Sequence, residues 1–129
     1  MTRPTVNIQV LEDSYAVCRM KPDRQLTLPG ASPSIYSVTR TPAELSIVCA
    51  SHLAPEDAEV EEGWSAMVVE GPLDFSLTGI LASIADPLAS AEISIFAVST
   101  YDTDYVLLKS HQRDAAVRTL EAAGHTVGR

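Results

Sequence analysis

The sequence predicts an α+β fold of two tandem ferredoxin-like units, each an antiparallel sheet with helices on one face. Two observations indicate this fold. In the second half of the chain, the segments alternate in the order strand, helix, strand, strand, helix, strand. The first half repeats the strands of this order, but its helical segments are degenerate. We therefore expect a degenerate N-terminal unit at 1–63 and a complete C-terminal unit at 64–129.

Composition and charge narrow the classes of function. The chain has 129 residues, 46% of them hydrophobic, which suffices for a sizeable core. Nine basic residues against 17 acidic ones give a net charge of −8. Nucleic acids and anionic membranes would repel such a chain, so neither is an expected partner. No targeting or membrane-spanning pattern is present, and we expect a cytoplasmic protein.

The two cysteines and three histidines do not form a metal-binding pattern. Cys18 and Cys49 lie inside apolar runs without C-x-x-C spacing, which favours buried thiols in a reducing compartment and leaves a disulfide open as the alternative. His52, His111 and His125 lie in three different connectors, so we interpret each as a surface or capping residue. We expect no bound metal and no cofactor.

The chain begins with two β-rich runs, Val6–Leu11 and Tyr15–Met20, which form either one bent strand or a hairpin. Residues Lys21–Pro33 contain three prolines and a glycine, and this composition predicts a loop with at most one helical turn.

Two further strands, Ser34–Arg40 and Glu44–Ala50, flank the proline-initiated turn Thr41-Pro42-Ala43 and predict a hairpin. The stretch Ser51–Gly63 carries five acidic residues, which is typical of a solvated connector. Trp64–Glu70 is again strand-like and opens the second unit.

A helix of about four turns follows, because its apolar residues recur at helical spacing. Pro87 is expected to kink this helix, and Ser76 or Asp74 to cap its start. The apolar positions are Leu77, Ile80, Leu81, Ile84, Ala85 and Leu88.

The strands Ile93–Ser99 and Asp104–Lys109 come next, joined by a turn rich in carboxylates and hydroxyls. A second helix is predicted at about Gln112–Ala123, with Ser110 as its N-cap and Gly124 as its stop. Thr126 and Val127 form a last short edge strand.

An internal repeat supports the tandem architecture. A shift of 60 positions aligns Ser34–Thr39 with Ser94–Ser99, and Glu44–Val48 with Asp104–Leu108, without a gap. The strand-turn-strand frame therefore belongs to the fold. The polar turn occurs only in the second copy, which makes it a candidate for function.

The candidate site combines the turn Thr100–Asp104 with the segment Gly71–Ile80. In a ferredoxin-like sheet the first and third strands are neighbours, so the exit of the 64–70 strand lies near this turn. Exposed N–H groups at a helix start hold a carboxylate, and an aspartate holds an ammonium, so together they fit a free amino acid. The alternative is that Asp102 and Asp104 only form the turn and that Gly79 only permits close packing.

Three segments carry a family resemblance: S-V-T-R-T-P-A-E-L-S-I-V-C from Ser37 to Cys49, E-G-P-L-D-F-S-L-T-G-I-L-A from Glu70 to Ala82, and S-I-F-A-V-S-T-Y-D-T-D-Y-V-L-L from Ser94 to Leu108. The chain resembles small tandem ACT-domain proteins related to the cytosolic arginine sensors. This resemblance implies a regulatory module, often amino-acid-binding, that works at interfaces between units and is expected to be a homodimer.

The resemblance also implies ligand contacts. Many ACT domains have Asp-x-x-Gly at the helix start, and Ser76 stands here in place of that aspartate. The family's ligand loop and strand-end contacts fall on Ser76, Leu77, Thr78, Gly79, Ile80, Thr100, Tyr101 and Asp104.

We thus expect a regulatory protein that binds a small molecule, an amino acid by the resemblance, held between ACT units. The alternative is a ligand-independent interaction module that docks on a partner enzyme or regulator. A third class, a small enzyme, would depend on Asp104 and Tyr101. We do not predict an enzyme, because the sequence has no G-x-S-x-G, H-E-x-x-H or phosphate-binding glycine loop.

Overall fold

The computed structural model describes residues 4–71 and 78–129 of the chain and divides it into two compact units. The first unit is Asp13–Trp64, and the second unit combines Met1–Glu12 with Ser65–Arg129. The sequence prediction had placed units at 1–63 and 64–129, whereas this division assigns Met1–Glu12 to the second unit. In chain order the described strands and α-helices are β1 (Asn7–Val10), β2 (Tyr15–Met20), β3 (Ser37–Arg40), β4 (Leu45–Ala50), β5 (Glu59–Val69), α1 (Ile80–Ser90), β6 (Phe96–Ser99), β7 (Asp104–Lys109), α2 (Arg113–Ala122) and β8 (Thr126–Gly128).

The first unit is a four-stranded antiparallel sheet without α-helices in its described residues. Its strands lie in the order β3-β4-β2-β5, with β5 contributing its residues up to Trp64. Numbered within the unit this order is 2-3-1-4, the order of a ferredoxin-like sheet. A loop at 21–36 and a short 3₁₀-helix, Ser51–Leu53, stand where that fold has helices. The prediction of a ferredoxin-like unit with degenerate helices is confirmed.

One face of this sheet carries the core of the first unit. Leu26 and Tyr36 of the 21–36 loop pack against it, and so do Ala54 and Ala58. These side chains therefore cover the apolar face of the sheet, which helices cover in a complete ferredoxin-like unit. The core residues are Ala16, Cys18, Met20, Leu45, Ile47 and Cys49.

Two arginines hold the 21–36 loop in place. Arg24 donates two hydrogen bonds to Asp57, of 2.8 Å from Nε and 2.9 Å from Nη2. Arg40 of β3 donates to the carbonyls of Pro22 and Arg24. The loop prediction is confirmed, and these contacts explain how a segment without helix or strand keeps one path.

The acidic stretch Glu59–Gly63 is a strand and not the predicted connector. It forms the first part of β5 and pairs with β2, where Val17 lies opposite Glu61 and Arg19 opposite Glu59. Residues 59–63 are all exposed. Acidic side chains at an exposed strand remain in water while the backbone pairs, so their charge did not exclude a strand.

The second unit contains the predicted order strand, helix, strand, strand, helix, strand as β5-α1-β6-β7-α2-β8. Its sheet runs β8-β1-β5-β7-β6, so that β1 lies between β8 and β5. Strand β1 is parallel to β8 and antiparallel to β5. The segments Val6–Leu11 and Tyr15–Met20 were predicted to form one bent strand or a hairpin. The hairpin is wrong, because β1 and β2 do not pair with each other. Both pair antiparallel with β5 along its length, as in an interrupted, bent strand, and β1 also pairs with β8.

Helices α1 and α2 supply the apolar core of the second unit together with its sheet. Leu88 of α1 and Leu120 of α2 are fully buried there, beside Val106 and Leu108 of β7. Pro87 lies inside α1 as predicted, and Gly124 follows α2 with φ 102°. Ser110 does not cap α2, because residues 110–112 form a 3₁₀-helix and the cap position is Gln112.

The internal repeat is real, but its offset is 59 and not 60. Each hairpin turn starts with a threonine whose backbone N–H donates to the carbonyl three residues later, from Thr41 to Glu44 at 2.9 Å and from Thr100 to Thr103 at 2.8 Å. The two turns are therefore 59 positions apart (100 − 41 and 103 − 44). The gapless alignment by 60 had placed Thr41 on Tyr101.

Candidate functional site

The start of α1 is built around a glycine in a left-handed conformation. Gly79 has φ 80° and ψ 2°, and its carbonyl accepts the first helical hydrogen bond from Ser83 N–H at 2.9 Å. Among the described residues, a side chain on residue 79 would meet Pro4 alone, at an ordinary contact distance of 3.7 Å. The positive φ favours glycine at this position. Gly79 at the cap position has no side chain with which to cap the helix, and N–H groups at a helix start can bind an anion.

The turn between β6 and β7 is a compact, internally bonded structure. Thr103 N–H donates to Thr100 Oγ1 at 3.2 Å, and Ser99 Oγ donates to an Asp104 carboxylate oxygen at 2.6 Å. Tyr101, at the tip, is 81% exposed. The hydroxyls of Ser99 and Thr100 therefore hold the turn itself.

One bond ties this turn to the exit of β5. Thr103 Oγ1 donates to the backbone carbonyl of Val69 at 2.5 Å. Strand β7 also pairs with β5. The structure thus brings together the strand exit and the polar turn, as the ferredoxin-like strand order predicted.

A shallow, open depression of about 500 Å³ lies at this junction. Its lining includes the acidic residues Glu70 and Asp102 and the polar residue Thr100. Among the residues that the structure describes, no basic side chain lines it, so the depression favours a positively charged group. The described lining residues are Val68, Val69, Glu70, Gly71, Thr100, Asp102, Thr103 and Tyr105.

The predicted site residues have different outcomes. Ser76 and Leu77, with the proposed cap Asp74, lie outside the described residues. Thr100 lines the depression, whereas Tyr101 and Asp104 belong to the same turn without lining it in the described structure.

The helix-start residues Thr78, Gly79 and Ile80 are not among the described lining residues of the depression. Thr78 is exposed, and Ile80 is 8% exposed and packs in the core of the second unit. Their role as ligand contacts stays a prediction. For Ile80 only the backbone N–H is suited to it, since the side chain is used for packing.

Sequence reasoning left one charged lining residue outside the candidate site. Glu70 follows directly on β5, one position before the candidate segment Gly71–Ile80. The signal was present, because a charged residue at a strand exit is typical of a functional edge. Gly71 and Thr103 lie inside the candidate segments and line the depression. For Thr103 nothing in the sequence distinguishes a hydroxyl that bonds to a neighbouring strand from one exposed to water.

Two free, buried thiols lie in the core of the first unit. Burial raises the pKa of Cys49 to about 12 and raises that of Cys18. The expectation of buried thiols is confirmed. In the described residues, no group of three or more histidine, cysteine or acidic side chains is placed to hold a metal ion. No helix among them is long and apolar enough to cross a bilayer.

Two family models match the chain. The model of an ACT domain matches residues 59–122, and a second model, described as an N-terminal domain, matches residues 13–57. The two matches together follow the division of the structure into two units.

Among curated proteins, human CASTOR3P is 32% identical over 104 residues, which cover 67% of this chain and 61% of that protein. The Cytosolic arginine sensor for mTORC1 subunit 1 of Bos taurus is 36% identical over 61 residues, which cover 46% of this chain and 18% of that protein. The chain therefore spans less than two thirds of the length of either relative.

Among solved structures, protein Atu0741 of Agobacterium tumefaciens superimposes with a TM-score of 0.87 at 36% identity, covering 96% of this chain and 92% of that one. The regulatory subunit of aspartate kinase from Thermus thermophilus superimposes with a TM-score of 0.66 at 14% identity, covering 94% and 99%. The second likeness is one of fold alone.

Proposed function

Because this chain belongs to the ACT-domain family and is related to the cytosolic arginine sensors, we propose that it is a regulatory protein that binds a free amino acid. The observation that carries the proposal is the junction of the β5 exit with the β6–β7 turn. There a depression with two carboxylates lies inside the region that matches the ACT model. Its relatives are regulatory proteins, and no catalytic step is part of the proposal.

The ligand's two charged ends suit two parts of the second unit. Its carboxylate is held by the backbone N–H groups at the start of α1, where Gly79 leaves the approach free of a side chain. Its ammonium group is held by Asp102, Glu70 or Asp104 at the turn. The protein acts as a homodimer, and ACT units meet around the ligand.

Calorimetric titration with each of the twenty amino acids tests the proposal, with thermal shift as a second readout. We expect one or a few of them to bind. Asp104→Ala should weaken that binding by about 1.5–3 kcal/mol, the scale of a hydrogen bond to a charged group. Ser99→Ala is the matched control, because it removes the hydrogen bond to Asp104 and keeps the carboxylate. No heat and no thermal shift with any amino acid would refute the proposal.

A ligand-independent interaction module is the second candidate. Tyr101 favours it, because an aromatic side chain that is 81% exposed at a turn tip is typical of a protein contact. Tyr101→Ala should then abolish co-purification of a specific partner and leave the thermal midpoint unchanged. Binding of that partner that changes with added amino acid would instead favour the first proposal.

A further inference from the structure

His125 is a buried histidine that joins three parts of the second unit. It lies between α2 and β8 and is 5% exposed. Its Nδ1 accepts a hydrogen bond from Val6 N–H at 3.2 Å, and its Nε2 lies 2.9 Å from the carbonyl oxygen of Ser83. A ring nitrogen that accepts from an amide carries no proton, so the proton is on Nε2, which donates to Ser83. The expectation of a surface or capping histidine was wrong for this residue.

The sequence of α1 explains why the Ser83 carbonyl is free to accept this bond. In an α-helix that carbonyl receives the N–H of the residue four positions later, which is Pro87. Proline has no N–H, so its place in α1 leaves the Ser83 oxygen without a helical donor. His125 supplies the missing donor from outside the helix. The imidazole thus donates a hydrogen bond to α1 and accepts one from the segment that leads into β1.

We propose that His125 is a proton-sensitive latch that holds β1 against α1 and β8 only while the imidazole is neutral. Protonation at Nδ1 replaces the acceptor by a donor, and that N–H then faces the N–H of Val6. The Val6 amide loses its acceptor, and a charge is placed in a site that excludes water. Both effects oppose the closed arrangement.

In the part of the chain that the structure describes, no charged side chain contacts the ring, so none compensates the imidazolium. The hydrogen-bond partners of the ring there are backbone groups of Val6 and Ser83, and β1 itself carries no charged residue. The charged side chains on the other elements packed around it are all on the exposed surface. On α1, on α2 and after β8 these are Asp86, Arg113, Asp114, Arg118, Glu121 and Arg129.

Protonation of His125 would first disrupt the hydrogen bonds at the N-terminal end of β1. The Val6 carbonyl accepts from Thr126 N–H at 3.1 Å, so the residue held by His125 also begins the pairing of β1 with β8. Protonation should therefore open the β1–β8 pairing before the rest of the sheet. This inference stands on the fold of the second unit and not on the proposed amino-acid binding.

Urea unfolding followed between pH 8 and pH 5.5 tests the latch. The unfolded chain protonates this histidine as the pH falls below about 6.5, whereas the latched ring stays neutral, so the unfolding equilibrium constant should stay level near pH 8 and then rise by up to about tenfold per pH unit. In H125Q, the side-chain amide offers one acceptor and one donor but does not titrate, so this pH-dependent rise should disappear. H52Q and H111Q are the matched controls, since both histidines are exposed, and they should follow the wild type. Identical pH profiles for wild type and H125Q would overturn the proposal.

A second measurement on the unchanged protein keeps the test independent of how H125Q folds. ¹⁵N NMR of the imidazole should show a single proton on Nε2 at pH 8. Protection of the Val6 and Thr126 amides from hydrogen exchange should be lost, relative to β7, at the pH where the ring gains its second proton. A doubly protonated ring with undiminished protection of these amides would equally overturn the latch.

Discussion

Thr103→Val tests whether the bond between the β6–β7 turn and the β5 exit stabilises the second unit. Valine keeps the shape of threonine and removes the hydroxyl that donates to the Val69 carbonyl at 2.5 Å. The loss of one such bond costs about 1 kcal/mol net, and a buried carbonyl without a donor adds to this cost. Val69 is 2% exposed, so water does not readily replace the hydroxyl. We expect a loss of about 1–2 kcal/mol in the free energy of unfolding.

Urea denaturation followed by far-ultraviolet circular dichroism measures this loss, and the thermal midpoint should fall by about 3–8 °C. Thr103→Ser is the control, because serine keeps the hydroxyl and should recover most of the stability. Serine lacks only the methyl group, so a serine variant as destabilised as the valine variant would contradict a dominant contribution from the hydroxyl bond. A valine variant as stable as the wild type would refute the reasoning.

Three further predictions concern backbone strain, thiols and one ion pair. Glu92→Gly should raise the unfolding free energy by about 0.5–1 kcal/mol in urea denaturation, because Glu92 has φ 60° and glycine adopts this conformation without strain. Glu92→Ala is the control and should leave the unfolding free energy unchanged. An equal increase in the alanine variant would contradict the explanation. Cys18 and Cys49 should resist a thiol reagent at pH 8 and react only in denaturant, because burial raises the pKa of both thiols, and rapid reaction of the native protein would be inconsistent with their burial. The hydrogen bonds from Arg24 hold the pKa of Asp57 below its usual range, so this pair stabilises the fold fully above the unfolded pKa of about 3.9, and the stabilisation is lost as the pH falls through the lower folded pKa. In Asp57→Asn, this part of the loss of stability in acid should be absent from urea denaturation curves measured at decreasing pH. The same loss in the variant and the wild type would argue against a contribution from the pair.

Local patterns predicted the hairpins well, because the alternation of apolar and polar residues in a strand and the residues that form a turn can both be recognised within a few positions of the sequence. The offset of the repeat was wrong by one residue for a physical reason. Strand sequences with period two look similar after a small shift, and only hydrogen bonding fixes the register. In both copies the threonine at the start of the turn, Thr41 and Thr100, sets that register by bonding three residues ahead.

The partners of β1 lay beyond local reasoning. Nothing in residues 7–10 indicates that they pair with β8, whose residues are 119 positions away in the register of Asn7 with Thr126. The strand at Glu59–Gly63 was missed because a local signal, its acidic residues, was misinterpreted. Its charges suggested a connector, whereas charge at an exposed strand is compatible with backbone pairing.

The sequence predicted that the β5 exit and the polar turn are neighbours, and a ligand site at their junction stays a prediction. Strand order alone brought the β5 exit to the polar turn, and the structure has this arrangement. Which side chains face the depression depends on register and on hydrogen bonds inside the turn. Glu70 and Asp102 therefore line it, while the carboxylate of Asp104 bonds to Ser99.

The place of β1 in the sheet has a consequence for how the chain acquires its fold. The second unit contains strands from both sides of the first unit in the sequence, so its sheet requires residues 119 positions apart to pair, as Asn7 does with Thr126. Such distant pairing closes slowly. The first unit shortens the search, because Tyr15 and Trp64 are strand partners and its folding brings the two flanking segments together. We expect that loosening the first unit will slow the refolding of the second even where their equilibrium stabilities are independent.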